Sequence, residues 1–224
     1  MDTRTRCLDI LCMMLLVYPV AVPSIISNML YNYIKHNHQK QKNAFWLFSV
    51  FNFAIILLLI LIQPSYGRFL SVTKYFRFDS WILIGFVLAP LLIVLEFGVG
   101  ALIVKLQKKR IERFAVDEQI GKEQKWIQVA VLIVAVMEEL FFRGIGHYII
   151  IQQMGLSLAS YLLFTALIYA INHVHEGIIT ATQKLFTGFM LGLLFVLSES
   201  LLVPIAAHVA ENILIMVWSK KSYE

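Results

Sequence analysis

Two glutamates and an arginine stand close together in an otherwise apolar stretch of the sequence. Glu138 and Glu139 are adjacent, and Arg143 follows four residues after Glu139. In a helix, residues four apart share a face, so Glu139 and Arg143 can form an ion pair, whereas Glu138 is rotated from Glu139 by about 100°. A carboxylate that has no charged partner can act as a general base. The alternative is a purely structural ion pair, which leaves Glu138 unexplained.

Two further polar pairs recur at the same spacing in later apolar stretches. Tyr169 precedes His173 by four residues, and His208 precedes Asn212 by four. The second pair presents two hydrogen-bond donors side by side, as the oxyanion of an acyl-transfer intermediate requires. Ionisable groups inside a bilayer are costly and usually functional. At 1.5 Å per residue, Glu138 and His208 both fall about 18 Å from the same side of the membrane, so we expect them to meet.

The composition explains why these groups must lie in a membrane. Of the 224 residues, 59% are hydrophobic and only 15% are charged, and the mean hydropathy is +0.76. Such an apolar excess is too large for the interior of one soluble domain. The net charge of +5 comes from basic residues that flank the apolar runs, so it indicates membrane topology and no nucleic-acid partner. Cys7 and Cys12 suggest neither a disulfide framework nor a metal site.

The apolar runs predict an all-α fold, a polytopic transmembrane helical bundle of about seven spans, or eight. Residues 1–224 form a single integral membrane domain in this interpretation. The excess of Lys and Arg on one side places the N-terminus outside and the C-terminus in the cytoplasm. The predicted spans are Leu8–Leu30, Ala44–Gln63, Trp81–Val104, Trp126–Ile151, Met154–Asn172, Ile178–Leu197 and Leu201–Trp218.

Three motifs in these spans carry a family resemblance. They are Glu-Glu-Leu-Phe-Phe-Arg-Gly from Glu138, Tyr-x-x-x-His from Tyr169, and His-x-x-x-Asn from His208. In this order they resemble the motifs of the CPBP family of CAAX-prenyl-protease and bacteriocin-processing membrane proteins, also called the Abi family. The pair Gly188-x-x-x-Gly192 is similar to the family as well. The resemblance covers residues 126–218, a catalytic core on spans four to seven, and Tyr169 departs from the usual phenylalanine.

The resemblance implies an intramembrane endopeptidase. Glu138, assisted by His173, would activate a water molecule for attack on the scissile carbonyl. His208 and Asn212 would stabilise the resulting oxyanion. Glu139 and Arg143 would hold the helix and tune Glu138. We favour a glutamate mechanism without a cofactor. Zinc is the alternative, and its ligands would be Glu138, His173 and His208.

The resemblance also limits the partners and leaves other functions open. The expected substrate is a lipidated or membrane-embedded peptide: a CAAX-type tail, a bacteriocin or pheromone precursor, or a toxin cleared for bacteriocin immunity. The expected location is the bacterial plasma membrane. One alternative is a non-catalytic immunity or scaffold protein that binds a partner in the membrane. A small proton-coupled transporter, suggested by Glu96 and the two adjacent glutamates, is the second.

Overall fold

The computed structural model describes residues 80–107 and 125–221, together with positions 47, 49–51, 54 and 76–78. These residues are helical apart from short turns, and no strand occurs among them. The all-α prediction is confirmed for this part of the chain. The first predicted span and most of the second, Leu8–Leu30 and Ala44–Gln63, lie outside the described residues, so the count of about seven spans stays a prediction.

Five α-helices lie in the described residues from position 80 onward, and short connections join the last three of them. A 3₁₀ turn at Val174–Glu176 links the third to the fourth. The helices are α1 (Trp81–Leu106), α2 (Lys125–Glu139), α3 (Leu158–Asn172), α4 (Ile178–Ser198) and α5 (Leu202–Lys221). Four of them agree with predicted spans to within a few residues at each end. The helical segment that begins with α2 continues beyond Glu139 in a different geometry.

The chain after α2 winds more widely than an α-helix. Two π-helical segments, Leu140–Ile145 and Tyr148–Gln153, follow Glu139 and carry the helix on to Gln153. Such wide turns are rare and occur often at functional sites. The first of them contains Arg143, so the helix changes geometry inside the Glu-Glu-x-x-x-Arg motif.

The third helix starts later than its apolar composition predicts. The predicted span began at Met154, whereas α3 begins at Leu158. Gly155 has φ +66°, a left-handed conformation that ends the preceding helix at little cost. Ser157 then caps α3, because its hydroxyl accepts a hydrogen bond from the Ser160 backbone N–H at 3.2 Å. The turn residues Met154 and Leu156 are apolar, which is why hydropathy alone extended the helix.

Two of the described helices are long and apolar enough to cross a membrane by length and composition, α1 and α4. Only 28% of the most apolar stretch of α1 is buried against the rest of the protein. Large apolar side chains such as Leu83, Val87 and Val94 project outward and are more than half exposed. A core helix of a soluble protein would bury these groups. The exposed apolar face agrees with a lipid environment.

The helices pack so that the motif-bearing faces turn inward. α3 lies along α4, α1 packs against both α4 and α5, and α2 packs against α5. Aromatic residues of the first π segment, Phe141 and Phe142, share one buried cluster with Tyr161, Tyr169 and Phe195. Two of the three motifs thus meet in the hydrophobic core, and the contact between α2 and α5 brings the third beside them.

Close approach of α1 and α5 depends on a glycine. A Cβ atom at Gly85 would lie 2.6 Å from the Val203 carbonyl oxygen, which is well inside van der Waals contact. Gly85 therefore lets the two backbones touch. This contact fixes the position of α5, the helix that carries the His-x-x-x-Asn motif.

Candidate active site

Arg143 is the centre of the first buried polar group. Its side chain is fully buried, as is that of Glu139. The Arg143 Nη1 atom donates to Glu139 Oε1 at 3.2 Å, and Nε lies 3.1 Å from Oε2, within ion-pair distance but without hydrogen-bond geometry. The ion pair that the spacing of four residues predicted is present.

Arg143 also joins α4 to this group. Its Nη2 atom donates to the Gly188 backbone carbonyl at 2.8 Å. A Cβ at Gly188 would lie 2.8 Å from Tyr169 Cδ1 and 3.3 Å from Ala166 Cα, so only glycine allows α4 to approach α3 this closely. The guanidinium lies 5.3 Å from the centroid of the Tyr169 ring. The Gly188-x-x-x-Gly192 pair therefore creates a helix contact that supports the arginine.

His208 enters the same group from α5. Its Nδ1 atom lies 2.8 Å from Glu139 Oε1, within hydrogen-bond distance. Glu139 consequently has two partners, Arg143 on its own helical segment and His208 across the helix contact. A carboxylate that accepts from one ring nitrogen fixes the orientation of the imidazole. The spacing argument from the sequence assigned Glu139 only the first of these partners.

The other ring nitrogen of His208 faces Glu138. Nε2 lies 3.9 Å from Glu138 Oε2, which is longer than a hydrogen bond but within ion-pair distance. The Tyr169 hydroxyl lies 3.4 Å from the same nitrogen. Both Glu138 and His208 are about 95% buried. The structure thus brings together Glu138 and His208, the pair expected to meet at equal depth in the bilayer.

His173 occupies the C-terminal cap of α3. Its Nδ1 atom lies 2.8 Å from the Tyr169 backbone carbonyl, to which it donates a hydrogen bond. Its ring packs on the Tyr169 ring at a centroid distance of 4.7 Å, and Tyr169 lies 6.1 Å from the His208 ring. Tyr169 therefore stands between the two histidines. Because Nδ1 carries the donated proton, Nε2 of His173 is the nitrogen that can accept one.

Asn212 lies one turn beyond His208 on α5 and is partly buried. The helical spacing keeps the two side chains on one face of α5. Their assignment as a pair of oxyanion donors stays a prediction.

A second buried polar group lies beside the first and joins three helices. Lys184 of α4 donates to Glu96 Oε1 of α1 at 2.6 Å, and Thr187 Oγ1 donates to the same oxygen at 2.7 Å. Gln183 Nε2 donates to the Glu96 backbone carbonyl at 2.7 Å. Lys184 Nζ also lies 4.0 Å from Glu211 Oε1 of α5. The sequence analysis singled out only Glu96 of these residues, as a polar group within a predicted span.

The described residues contain no group of three or more His, Cys, Asp or Glu side chains arranged to hold a metal ion. The zinc set expected as the alternative, Glu138, His173 and His208, is thus not gathered into a ligand cage. We derive no chemical step through zinc.

Comparison with known proteins identifies the region that holds these groups. Residues 124–214 match the model of a protein family described as Type II CAAX prenyl endopeptidase Rce1-like. The match contains all three motifs, and the predicted family resemblance is confirmed over these residues. Glu96 lies outside the match. No curated protein matches the chain, and no solved structure matches it.

Proposed function

We propose, from the membership of residues 124–214 in the Rce1-like family, that this chain is an intramembrane endopeptidase. The family implies protease activity on prenylated proteins in the membrane. One observation carries the proposal for this chain: a buried carboxylate and a buried imidazole, Glu138 and His208, face each other at 3.9 Å from different helices. A salt bridge needed only for stability would not require a second glutamate beside the paired Glu139.

Glu138 is the proposed general base. The neighbouring Glu139 is neutralised by Arg143, so Glu138 is the carboxylate of the motif that can exchange a proton. It removes a proton from water as the water oxygen bonds to the scissile carbonyl carbon. The C–N bond then breaks, and the proton passes from Glu138 to the leaving nitrogen. Every atom in these reaction steps comes from water, the substrate and the Glu138 side chain.

His208 and Asn212 are the proposed oxyanion donors. Donation from Nε2 to the oxyanion requires the doubly protonated imidazole, in which Nδ1–H donates to Glu139. Nε2 is on the side of Glu138, where the attacked carbonyl has to lie. Asn212 adds an amide N–H one turn further along α5. This arrangement stabilises charge only as the tetrahedral intermediate forms, which lowers the barrier without tightening substrate binding.

His173 is the proposed assistant to the base. Its hydrogen bond to the Tyr169 carbonyl holds the ring with Nε2 ready to accept a proton. The Tyr169 ring separates it from His208, so the two imidazoles have separate tasks. We assign His173 to orienting the water and His208 to the oxyanion.

The proposed substrate is a prenylated CAAX-type tail, with a bacteriocin or pheromone precursor or a toxin as narrower possibilities in a bacterial plasma membrane. A non-catalytic immunity or scaffold protein is the second candidate, and it would tolerate loss of Glu138. The transporter alternative rested on Glu96 and on the two adjacent glutamates, Glu138 and Glu139, of which Glu139 is paired with Arg143. The Glu96 carboxylate is paired with Lys184 at 2.6 Å, so the observation favours Glu96 as an ion-pair partner over Glu96 as a free carrier of protons.

The decisive experiment compares Glu138→Gln with the native chain. The purified protein in liposomes is given a fluorescent farnesylated peptide that ends in a CAAX sequence. We expect cleavage by the native chain, no detectable cleavage by Glu138→Gln, and unchanged cleavage by Glu199→Gln, a control in the exposed turn after α4. Substrate-trapping proteomics with Glu138→Ala would then identify natural substrates. Normal cleavage by Glu138→Gln would exclude the base assignment.

Metal dependence has its own test. The metal content of the purified native chain and of His208→Ala is measured beside the effect of chelators on cleavage. The glutamate mechanism predicts cleavage that resists chelators. One zinc ion per chain that is lost in His208→Ala, together with inactivation by chelators, would support the metalloprotease instead.

A further inference from the structure

The proposed reaction uses both imidazoles and leaves the Tyr169 hydroxyl without a task. Tyr169 is fully buried on α3, and its hydroxyl oxygen lies 3.4 Å from His208 Nε2. Among the described residues this is the single hydrogen-bond contact of that nitrogen, since Glu138 Oε2 is further away, at 3.9 Å. A hydroxyl group from another helix thus faces the nitrogen that the proposed oxyanion needs.

The other ring nitrogen of His208 has a fixed proton. Nδ1 lies 2.8 Å from Glu139 Oε1, and Glu139 is the carboxylate that pairs with Arg143. An ionised carboxylate only accepts hydrogen bonds, so Nδ1 carries a proton in both the neutral and the charged imidazole. Any change in the protonation of His208 therefore occurs at Nε2, beside Tyr169.

A hydroxyl group can remain bonded to Nε2 through such a change, whereas a carboxylate cannot. The Tyr169 oxygen accepts from Nε2–H in the charged imidazole, which the proposed oxyanion role requires, and its O–H donates to the bare Nε2 of the neutral imidazole. The Glu138 carboxylate can accept only from the charged form. A contact of 3.4 Å is long for a hydrogen bond, so an oxyanion that binds Nε2–H more closely can replace it.

Packing fixes the Tyr169 ring and therefore the place of its hydroxyl. A Cβ at Gly188 would lie 2.8 Å from Tyr169 Cδ1, so α4 approaches the ring closely. Phe142 makes an edge contact with the ring at a centroid distance of 5.4 Å, and the Arg143 guanidinium lies 5.3 Å from its centroid. The hydrogen bond from His173 Nδ1 goes to the Tyr169 backbone carbonyl and does not involve the hydroxyl. Loss of the hydroxyl should therefore leave the ring and His173 in place.

We propose that Tyr169 is a positioning residue for the oxyanion site: its hydroxyl holds the His208 imidazole, with Nε2 in place, through both protonation states of the ring. Tyr169 acts through His208 and bonds to no substrate atom. The consequence for catalysis rests on the proposed peptidase function, whereas the contact between the hydroxyl and Nε2 does not.

Nitrogen-15 NMR of the full chain in nanodiscs tests the contact without a substrate. The histidine ring nitrogens are labelled, and His208→Ala identifies the His208 signals by their loss. Tyr169→Phe keeps the ring and removes only the hydroxyl. The matched control is Tyr161→Phe, since Tyr161 is also a fully buried tyrosine of α3 but packs against His147.

We expect the Nε2 signal of His208 to shift in Tyr169→Phe, while the Nδ1 signal stays that of a protonated nitrogen. Neither signal should change in Tyr161→Phe. An unchanged Nε2 signal in Tyr169→Phe, or an equal shift in both variants, would overturn the proposal.

Cleavage of the farnesylated CAAX peptide tests the effect on the reaction. Tyr169→Phe should lower kcat about tenfold, as expected for the loss of one neutral hydrogen bond, and should change KM by less than about twofold. Tyr161→Phe should retain the native kcat. The melting temperature of Tyr169→Phe should fall by no more than about 4 °C, so that unfolding does not account for the lost activity.

A native kcat in Tyr169→Phe, with or without a lower melting temperature, would overturn the positioning role. If the native chain cleaves no peptide, the peptidase proposal fails, and the NMR comparison still decides whether the Tyr169 hydroxyl holds His208.

Discussion

The two buried polar groups of this protein differ in how they are built. The first contains Glu138, Glu139, Arg143 and His208, and its ion pair is local to one helical segment. The second joins Glu96, Lys184 and Glu211 from three helices, and its ion pair spans 88 residues of sequence. In the first group the Glu138 carboxylate faces the His208 imidazole. In the second, the Lys184 ammonium lies near the carboxyl groups of Glu96 and Glu211.

This difference distinguishes a group suited to catalysis, the first, from a group suited to holding helices together, the second. In the first group, Glu138 and His208 retain groups that can exchange protons and face each other without a direct hydrogen bond. In the second, Lys184 and Thr187 saturate one oxygen of Glu96 with short contacts. A site that performs catalysis needs proton acceptors that are available, whereas a site that holds helices together needs short ion pairs and hydrogen bonds between them. Substitutions in the two groups should therefore separate activity from stability.

Arg143→Ala should have the largest effect, because it leaves Glu139 buried without its cation. We expect a loss of about 3–5 kcal/mol in stability and a loss of activity, since His208 depends on Glu139 for its orientation. Thermal melts in detergent measure the first and peptide cleavage the second.

The double variant Glu139→Gln with Arg143→Ala is the control for that prediction. It removes both charges and should be more stable than Arg143→Ala alone, because no unpaired buried charge remains. Simple additivity of the two substitutions would show that their side chains do not interact.

Asn212→Ala should affect activity alone. Loss of one oxyanion donor lowers kcat by about 10²-fold, and KM should change little because the contact strengthens only in the transition state. Steady-state kinetics of the native chain and the variant give both constants, and single-turnover kinetics isolate the chemical step. An unchanged kcat, or a rise in KM that accounts for the whole loss, would remove Asn212 from the proposed oxyanion site.

Thr187→Val should produce the smallest effect of these substitutions. In contrast to Asn212→Ala, it should lower stability and leave activity unchanged. The substitution removes the 2.7 Å hydrogen bond to the Glu96 carboxylate with little change in shape. We expect a loss of about 1.5 kcal/mol in stability with kcat retained. Thr182→Val on the same helix is the matched control, because the Thr182 hydroxyl donates only to its own helix at Ile178 O. A large loss of kcat in Thr187→Val would mean that the second group takes part in catalysis.

The sequence by itself determined the helical class, the bounds of most described helices and the Glu139–Arg143 pair. These features depend on local rules: apolar runs of helical length, and side chains four residues apart on one face. It also predicted that Glu138 and His208 meet, because the thickness of a bilayer fixes the depth of a residue along its helix. The motif resemblance, which the family match at residues 124–214 confirms, needed only the order of those residues.

The tertiary structure alone decided which charges share partners. Nothing in the spacing of His208 reveals that its Nδ1 contacts Glu139, since that depends on the rotation of α5 against α2. The contacts of Lys184 with Glu96 and Glu211 likewise depend on the packing of α4 against α1 and α5. Hydropathy also did not predict the turn at Gly155, because the residues on either side of this glycine are apolar. Local sequence patterns determine each helix separately. The contacts of buried charges depend instead on how the helices are rotated and how closely they approach one another. Glycines such as Gly188 permit the close approach.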